Sequence, residues 1–443
     1  MDENLNATMQ ASSRIVEWLT GSTQRTAITW PRHGFIETLL EIPFILPARM
    51  IAGADQAIAT RALALHAPIF SALLVTLIFI WTHAITRSFA WSFPCALGAG
   101  FATMIWPYAY IGLETSQSLF LTLAGFLAFR ENVANRRLGA LSLTLVCAIA
   151  VSAKSNGLFL WPAVIYAIAC YFLNPQKSWR DFRLTHLYKT ILAAAVALLV
   201  YLANNHVKQR YWGGAGATTF VTSEMLVKDV TSYLLNAWSL FFSPNKSFFM
   251  FAPITILAVA GIARAYRVNP RIVIFTLLVV AGNVGALSML VPWADEVWGP
   301  RYLHVCVAPM VVCFALSRKE TGFEFRKELF LAASLVLGFL ITFPGCLFSY
   351  TRLPQAAVAC SHSSVDAYLY DINYNHLKFN IKLTEILVRQ KFQLHQGAQN
   401  WPPEPRWWYA APEHKGWKQV NLVDYASPQP VIISLLSPAA IAG

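Results

Sequence analysis

The chain has 443 residues, 56% of them hydrophobic and only 13% charged, with a mean hydropathy of +0.48 and a formal net charge of +12. Its apolar residues come in blocks of roughly 17 to 25, long enough to cross ~30 Å of hydrocarbon, which excludes an ordinary soluble enzyme. In such a chain the surplus of 34 Lys and Arg over 22 Asp and Glu is a topological signal and not a nucleic-acid footprint.

Residues 1–62 are an N-terminal segment in which HGFIETLLEIPFILPARMIA, 33–52, is apolar but carries Glu37, Glu41 and two prolines. That mixture predicts an interfacial or re-entrant helix more than a clean span. About ten spans are predicted after it, near 63–86, 89–108, 114–130, 138–153, 157–173, 188–206, 247–264, 271–292, 301–316 and 328–350. The fold class is therefore an all-α polytopic membrane protein with its transmembrane core at 63–350. Within it, 207–246 holds the glycine-rich YWGGAGATTF and then VKDVTSYLLNAWSLFF, whose apolar residues recur at helical spacing, as in a helix lying in the membrane interface. The C-terminal segment, 351–443, predicts a helix at about 364–393 and then WPPEPRWWYAAP, where Trp401, Trp407 and Trp408 suit the headgroup region.

Basic residues set the orientation. Arg87, Arg130, Arg136, Arg137, Lys177, Arg180, Arg183, Lys189, Arg264, Arg267, Arg271, Arg318, Lys319, Arg326 and Lys327 fall at every second connection, which makes those connections cytoplasmic. The alternate segments, 1–62, 109–113, 154–156, 207–246, 293–300 and everything after 350, then lie outside. Cys95, Cys147, Cys170, Cys306 and Cys313 sit in or beside apolar runs as small hydrophobes, whereas Cys346 and Cys360 would meet on the oxidising side.

The charged residues predicted at the outer face are the candidate site. Lys246, in LFFSPNKSFFMFAPI, follows a Ser243-Pro244-Asn245 turn and precedes a helix start, where its charge opposes the helix dipole. A bound anion would offset that, because free N–H groups and a lysine together make a phosphate site. Arg301 repeats the arrangement after Gly299-Pro300 with a planar fork suited to phosphate oxygens. The plainer alternative is that both snorkel to lipid phosphates. Asp295 and Glu296, in WADEVWGPRYL, either pair with Arg301 in a solvated loop or orient it and bind acceptor. Glu114, in YIGLETSQSLF, opens a helix where the dipole favours an acid, and Lys154, in VSAKSNGLFLWP, stands at an outer turn as a third cation. His206 reads as a structural polar end. No HExxH, CxxC or Walker-type pattern is present, so no metal ligand is assigned, although a divalent metal stays open.

LFFSPNKSFFMFAPI and WGPRYLHVCVAP resemble the "SP-x-K/R-G-hydrophobic-SP" and "GPRYL-x-x-x-x-P" segments of bacterial membrane glycosyltransferases of the GT-C superfamily, relatives of protein mannosyltransferases and lipid A aminoarabinose transferases. AYIGLETSQSLFLTLAGF and AKSNGLFLWP fall where that family has its outward acidic helix start and its lysine turn. The resemblance covers most of residues 30–350 and departs at two places: Ser247 replaces the usual glycine, and Ala252-Pro253 replaces the second Ser-Pro.

The resemblance implies an inverting transferase in the bacterial inner membrane. It would take a sugar from a polyprenyl-phosphate donor and pass it to a lipid, glycan or protein acceptor on the periplasmic or exterior side. Lys246 and Arg301, with Lys154, would hold the departing phosphate. The catalytic base of the family lies just after its first transmembrane helix, which points to Asp2 or Glu3, with Glu114 or Asp295 as an auxiliary acid. It follows that the sequence is expected to start internally, with one further helix upstream and eleven spans in all. The alternatives are a lipid-linked polysaccharide ligase or polymerase, a transporter or flippase, and an inactive truncated relative. Membrane lipids are expected partners in each case, and nucleic acid in none.

Overall fold

A computed structural model describes residues 35–52, 62–111, 114–130, 136–173, 184–211, 226–290, 299–319 and 325–347, together with Leu377 and Ile381. These residues are overwhelmingly helical, and no strand occurs among them beyond an isolated antiparallel bridge between Leu226 and Leu290. The helices in chain order are α1 (Phe35–Ala52), α2 (His66–Thr86), α3 (Phe89–Phe101), α4 (Ile105–Ile111), α5 (Thr115–Phe129), α6 (Arg136–Ser152) and α7 (Trp161–Leu173). They continue as α8 (Leu184–Tyr211), α9 (Val230–Phe242), α10 (Phe248–Phe251), α11 (Ile254–Val268), α12 (Pro270–Ser288), α13 (His304–Arg318) and α14 (Phe325–Leu347). Short 3-10 turns, Ser155–Leu160 and Arg301–Leu303, lead into α7 and α13.

Local chemistry explains several boundaries. Asn269 caps α12 by accepting from the Arg271 and Ile272 amides, with Pro270 at the first helical position, where its missing N–H costs nothing. Asp229 caps α9 by accepting from the Ser232 amide at 2.7 Å. Two predicted spans are broken by proline. The stretch 89–108 divides at Ala102–Met104 because Pro107 cannot donate to the carbonyl four residues back, and the Thr103 hydroxyl takes over by accepting from the Ile105 amide. The stretch 247–264 divides because Pro253 forces Ala252 out of helical conformation, to φ −148°.

The core is organised around α13, every residue of which is buried between α11, α2, α5, α12 and α3. Thr276 of α12 donates to the Pro309 carbonyl at 3.3 Å, and the Cys313 thiol donates back to Thr276. The periphery has the opposite character. On α8, Leu187, Ile191, Leu198 and Leu202 face outward, and only 22% of its apolar stretch is buried, against 89% for Arg301–Arg318. Such outward apolar faces are stable in hydrocarbon and not in water.

Among the described residues, five helices are long and apolar enough to cross a membrane: Ala62–Thr86, Leu187–Val207, Pro270–Ser288, Arg301–Arg318 and Glu328–Cys346. Phe89–Phe101, Thr115–Phe129, Leu138–Ser152 and Gly157–Phe172 are apolar but shorter. Of the segment 33–52, the described part, Phe35–Ala52, forms α1 with Pro43 and Pro47 inside it. In α9 the apolar residues Val230, Leu234, Trp238 and Phe242 form one exposed stripe while Asn236 and Ser239 turn inward. Of the helix predicted at 364–393, only Leu377 and Ile381 are described, and Trp401, Trp407 and Trp408 lie outside the described residues. Cys346 is a buried free thiol; Cys360 lies outside the described residues.

Candidate functional site

Buried polar side chains gather at the end of the bundle where α2, α5 and α13 begin and α6 finishes. Four consecutive residues of α5, Thr115, Ser116, Gln117 and Ser118, are completely buried, an unusual concentration of polar groups for an apolar helix. Three of these side chains tie α5 to its neighbours. Ser116 donates to Glu37 Oε1 of α1 at 3.0 Å and stands 3.4 Å from His66 Nε2 of α2. Gln117 donates to the Ala150 carbonyl of α6, and Ser118 shares a 2.6 Å hydrogen bond with His304 Nδ1 of α13. The His304 ring meets Tyr108 edge-on at 5.3 Å.

Glu114, just before α5, sends its carboxylate to Arg301, with Oε1 3.3 Å from Nε. Glu114 is the residue before α5, and its side chain makes no capping bond there. Arg301 in turn donates from Nη2 to the Tyr302 hydroxyl at 2.8 Å and lies 4.6 Å from the centre of that ring. The side chains are 3% and 17% exposed, so the pair is screened from water and each charge depends on the other.

Lys154 is buried in the turn after α6 and acts electrostatically on His66. Gly157 makes that turn possible: its amide bonds back to the Lys154 carbonyl, and a Cβ there would land on the Val151 carbonyl. Lys246 is completely buried, which removes the alternative of a lysine snorkelling to lipid. Its turn forms as the sequence suggests, with Ser243 Oγ accepting from the Asn245 and Lys246 amides and Ser247 capping the next turn. The expected long helix after it is instead the single turn α10, because Pro253 interrupts the chain, so Lys246 does not stand at a full helix dipole. Gly299, at φ +64°, sets its Cα against the Phe251 ring, where a Cβ would approach to 2.9 Å. That close approach packs the residue two before Arg301 on the end of α10.

Glu114 and Arg301 thus meet at this end, and Lys154 and Lys246 are buried in turns of their own. Asp2, Glu3, Asp295 and Glu296 lie outside the described residues, and among the described acids Glu114 meets Arg301.

The sequence also contains a group that its patterns do not single out. Glu37 and Glu41, one turn apart on α1, and His66 at the start of α2 each offer an atom, and these three atoms lie within 4.8 Å of one another. All three residues are buried. Asn204 of α8 fixes α1 in place: its side-chain oxygen accepts from the Ile36 amide and its nitrogen donates to the Ser152 carbonyl. Phe44 and Phe70 contact the His66 ring, at 5.4 and 4.2 Å between centroids. The available signal was two glutamates at helical spacing in an apolar segment, but pairing with His66 needs the tertiary structure. Set against known proteins, the chain matches no family model, no curated protein and no solved structure, so its function is read from the chemistry of this site.

Proposed function

We propose that this chain is a GT-C-like membrane glycosyltransferase that moves a sugar from a polyprenyl-phosphate donor to an acceptor outside the membrane. What supports the reading is the Glu114–Arg301 pair at a water-poor end of an apolar bundle, together with the burial of Lys154 and Lys246. In this reading the shorter apolar helices cross the bilayer with the five long ones, giving about ten spans, and the Arg301 end faces the periplasm of a bacterial inner membrane.

The reaction needs little covalent help from the protein. An acceptor hydroxyl attacks the anomeric carbon, the carbon–oxygen bond to the lipid phosphate breaks with inversion, and a carboxylate takes the acceptor proton. Negative charge accumulates on the leaving phosphate, where preorganised cations in a low-dielectric site lower the barrier most. Arg301 and Lys246, with Lys154, fit that role. Glu114 would hold the Arg301 fork in place, Asp2 or Glu3 would serve as base, and Asp295 and Glu296 would orient Arg301 or bind acceptor. The stripe on α9 would lie in the outer interface beside the donor's lipid chain.

The test is release of polyprenyl phosphate from candidate sugar-lipid donors by purified protein in liposomes. Acceptor-dependent release, reduced at least ~10-fold in Lys246→Ala, or ~1.4 kcal/mol of transition-state stabilisation, is expected. Movement of an intact sugar-lipid across the bilayer without release would establish a flippase instead.

A further inference from the structure

We infer that Glu37, Glu41 and His66 bind a divalent transition-metal ion of the zinc or manganese class. Two carboxylates and an imidazole form a mixed oxygen–nitrogen set, which suits these ions and leaves coordination positions for water or substrate. The three atoms lie within 4.8 Å, and bonds of ~2.1 Å in a tetrahedral site place ligand atoms ~3.4 Å apart, so modest side-chain adjustment closes the set.

Two observations beyond proximity point to a cation. First, Glu37 is 5% exposed, and its Oε2 has no hydrogen-bond partner among the described residues, while Oε1 is held by Ser116. A buried carboxylate oxygen left in this way is costly, and a metal ion satisfies it. Second, Ser116 links the acid to the imidazole: it donates to Glu37 Oε1 and stands 3.4 Å from His66 Nε2, the kind of outer hydrogen bond that orients metal ligands.

Glu37 and Glu41 lie one helical turn apart, where like charges repel, and Lys154 is the cation that acts on His66. A divalent ion adds the charge that brings two buried carboxylates together. Asn204, which binds the first turn of α1, and Phe44 and Phe70, which contact His66, supply the rigidity that a preorganised site requires. The inference does not depend on the transferase reading, because binding is measured without donor or acceptor.

Elemental analysis of the purified full-length protein after exposure to micromolar Zn²⁺ or Mn²⁺ and removal of free ion is the primary experiment. One ion per chain is expected, with loss in Glu37→Gln, Glu41→Gln and His66→Ala. Ser116→Ala keeps every ligand and should weaken affinity by ~10- to 100-fold through loss of the supporting hydrogen bonds. It remains informative if a ligand variant does not fold. Co²⁺ substitution adds a visible d–d absorption band that should vanish in His66→Ala. Wild-type protein with neither retained metal nor a Co²⁺ band would overturn the inference. Metal bound equally by wild type and all three ligand variants would overturn it as well.

Discussion

At one end of α13, Arg318 donates to Glu328 at 2.8 Å and its guanidinium rests 4.3 Å from the centre of the Trp91 ring. At the other, Arg301 meets Glu114 while Ser118, His304, Tyr108, Ser116, Glu37 and His66 crowd around the same turns. The first arrangement joins α13 to α14 and α3 through one cation, one acid and one aromatic ring. The second places far more polar chemistry in an apolar setting than joining helices requires. Burial of polar groups costs free energy wherever it occurs, so a bundle that needed only fastening would use the first design at both ends. In the proposed function Arg318 and Glu328 fasten helices and the Arg301 end carries the chemistry.

The largest expected effect comes from breaking the Arg301 end. Arg301→Ala takes the guanidinium away from the buried Glu114 carboxylate, which should lower stability by up to ~3–5 kcal/mol and abolish sugar transfer. Pairing it with Glu114→Gln removes the carboxylate charge as well and should restore part of the stability without restoring transfer. Thermal unfolding in detergent and polyprenyl phosphate release, measured on both variants, separate the two effects. A double variant that transferred sugar normally would reduce the pair to a fastening like that of Arg318. Arg301→Lys should fall between, since a lysine keeps the charge and loses the fork.

A smaller effect is expected at the opposite end. Glu328 is 20% exposed, so Glu328→Gln should cost ~1–2 kcal/mol in unfolding free energy. Transfer by the folded variant should remain at the wild-type rate. A loss of transfer larger than the loss of folded protein would mean that the two ends are coupled through α13.

The contrast between the two ends was only partly legible in the sequence. Apolar blocks announced a helical membrane protein, and positional chemistry singled out Glu114, Lys154, Lys246 and Arg301. Hydropathy over a window could not register that Pro107 and Pro253 interrupt two blocks, because a single proline hardly changes an average while it removes a backbone donor. The pairing of Glu114 with Arg301 spans 187 positions and depends on α5 and α13 packing side by side, which periodicity does not encode. Likewise Ser116 and Ser118 read as helix-start residues, yet they point in opposite directions, to Glu37 and to His304. His66 sits inside an apolar run whose hydropathy hides it, and Glu37 and Glu41 were informative only as a reason against a clean span.

The smallest effect tests whether every acid at the Arg301 end belongs to the site. Asp229 lies at the start of α9, whose Asn236 donates to the Ser288 and Leu290 carbonyls where α12 finishes. The Asp229 carboxylate is fully exposed, and hydrogen bonds from Ser232, the amide first, hold its pKa below the ordinary value. A group with a depressed folded pKa contributes stability above its unfolded pKa and loses it as pH falls through the folded one. The cap should therefore be intact at neutral pH and disappear below pH ~4. Hydrogen exchange across the first turn of α9, corrected for the intrinsic pH dependence, should rise in Asp229→Ala at neutral pH and change little in Asp229→Asn, because asparagine also caps. Wild type should approach the alanine variant in acid. Sugar transfer at neutral pH should be the same in all three proteins, since Asp229 holds a helix end in solvent and touches none of the buried charges. A transfer defect in Asp229→Asn, where the cap survives and only the charge is lost, would extend the site along α9 and place a further acid beside the donor.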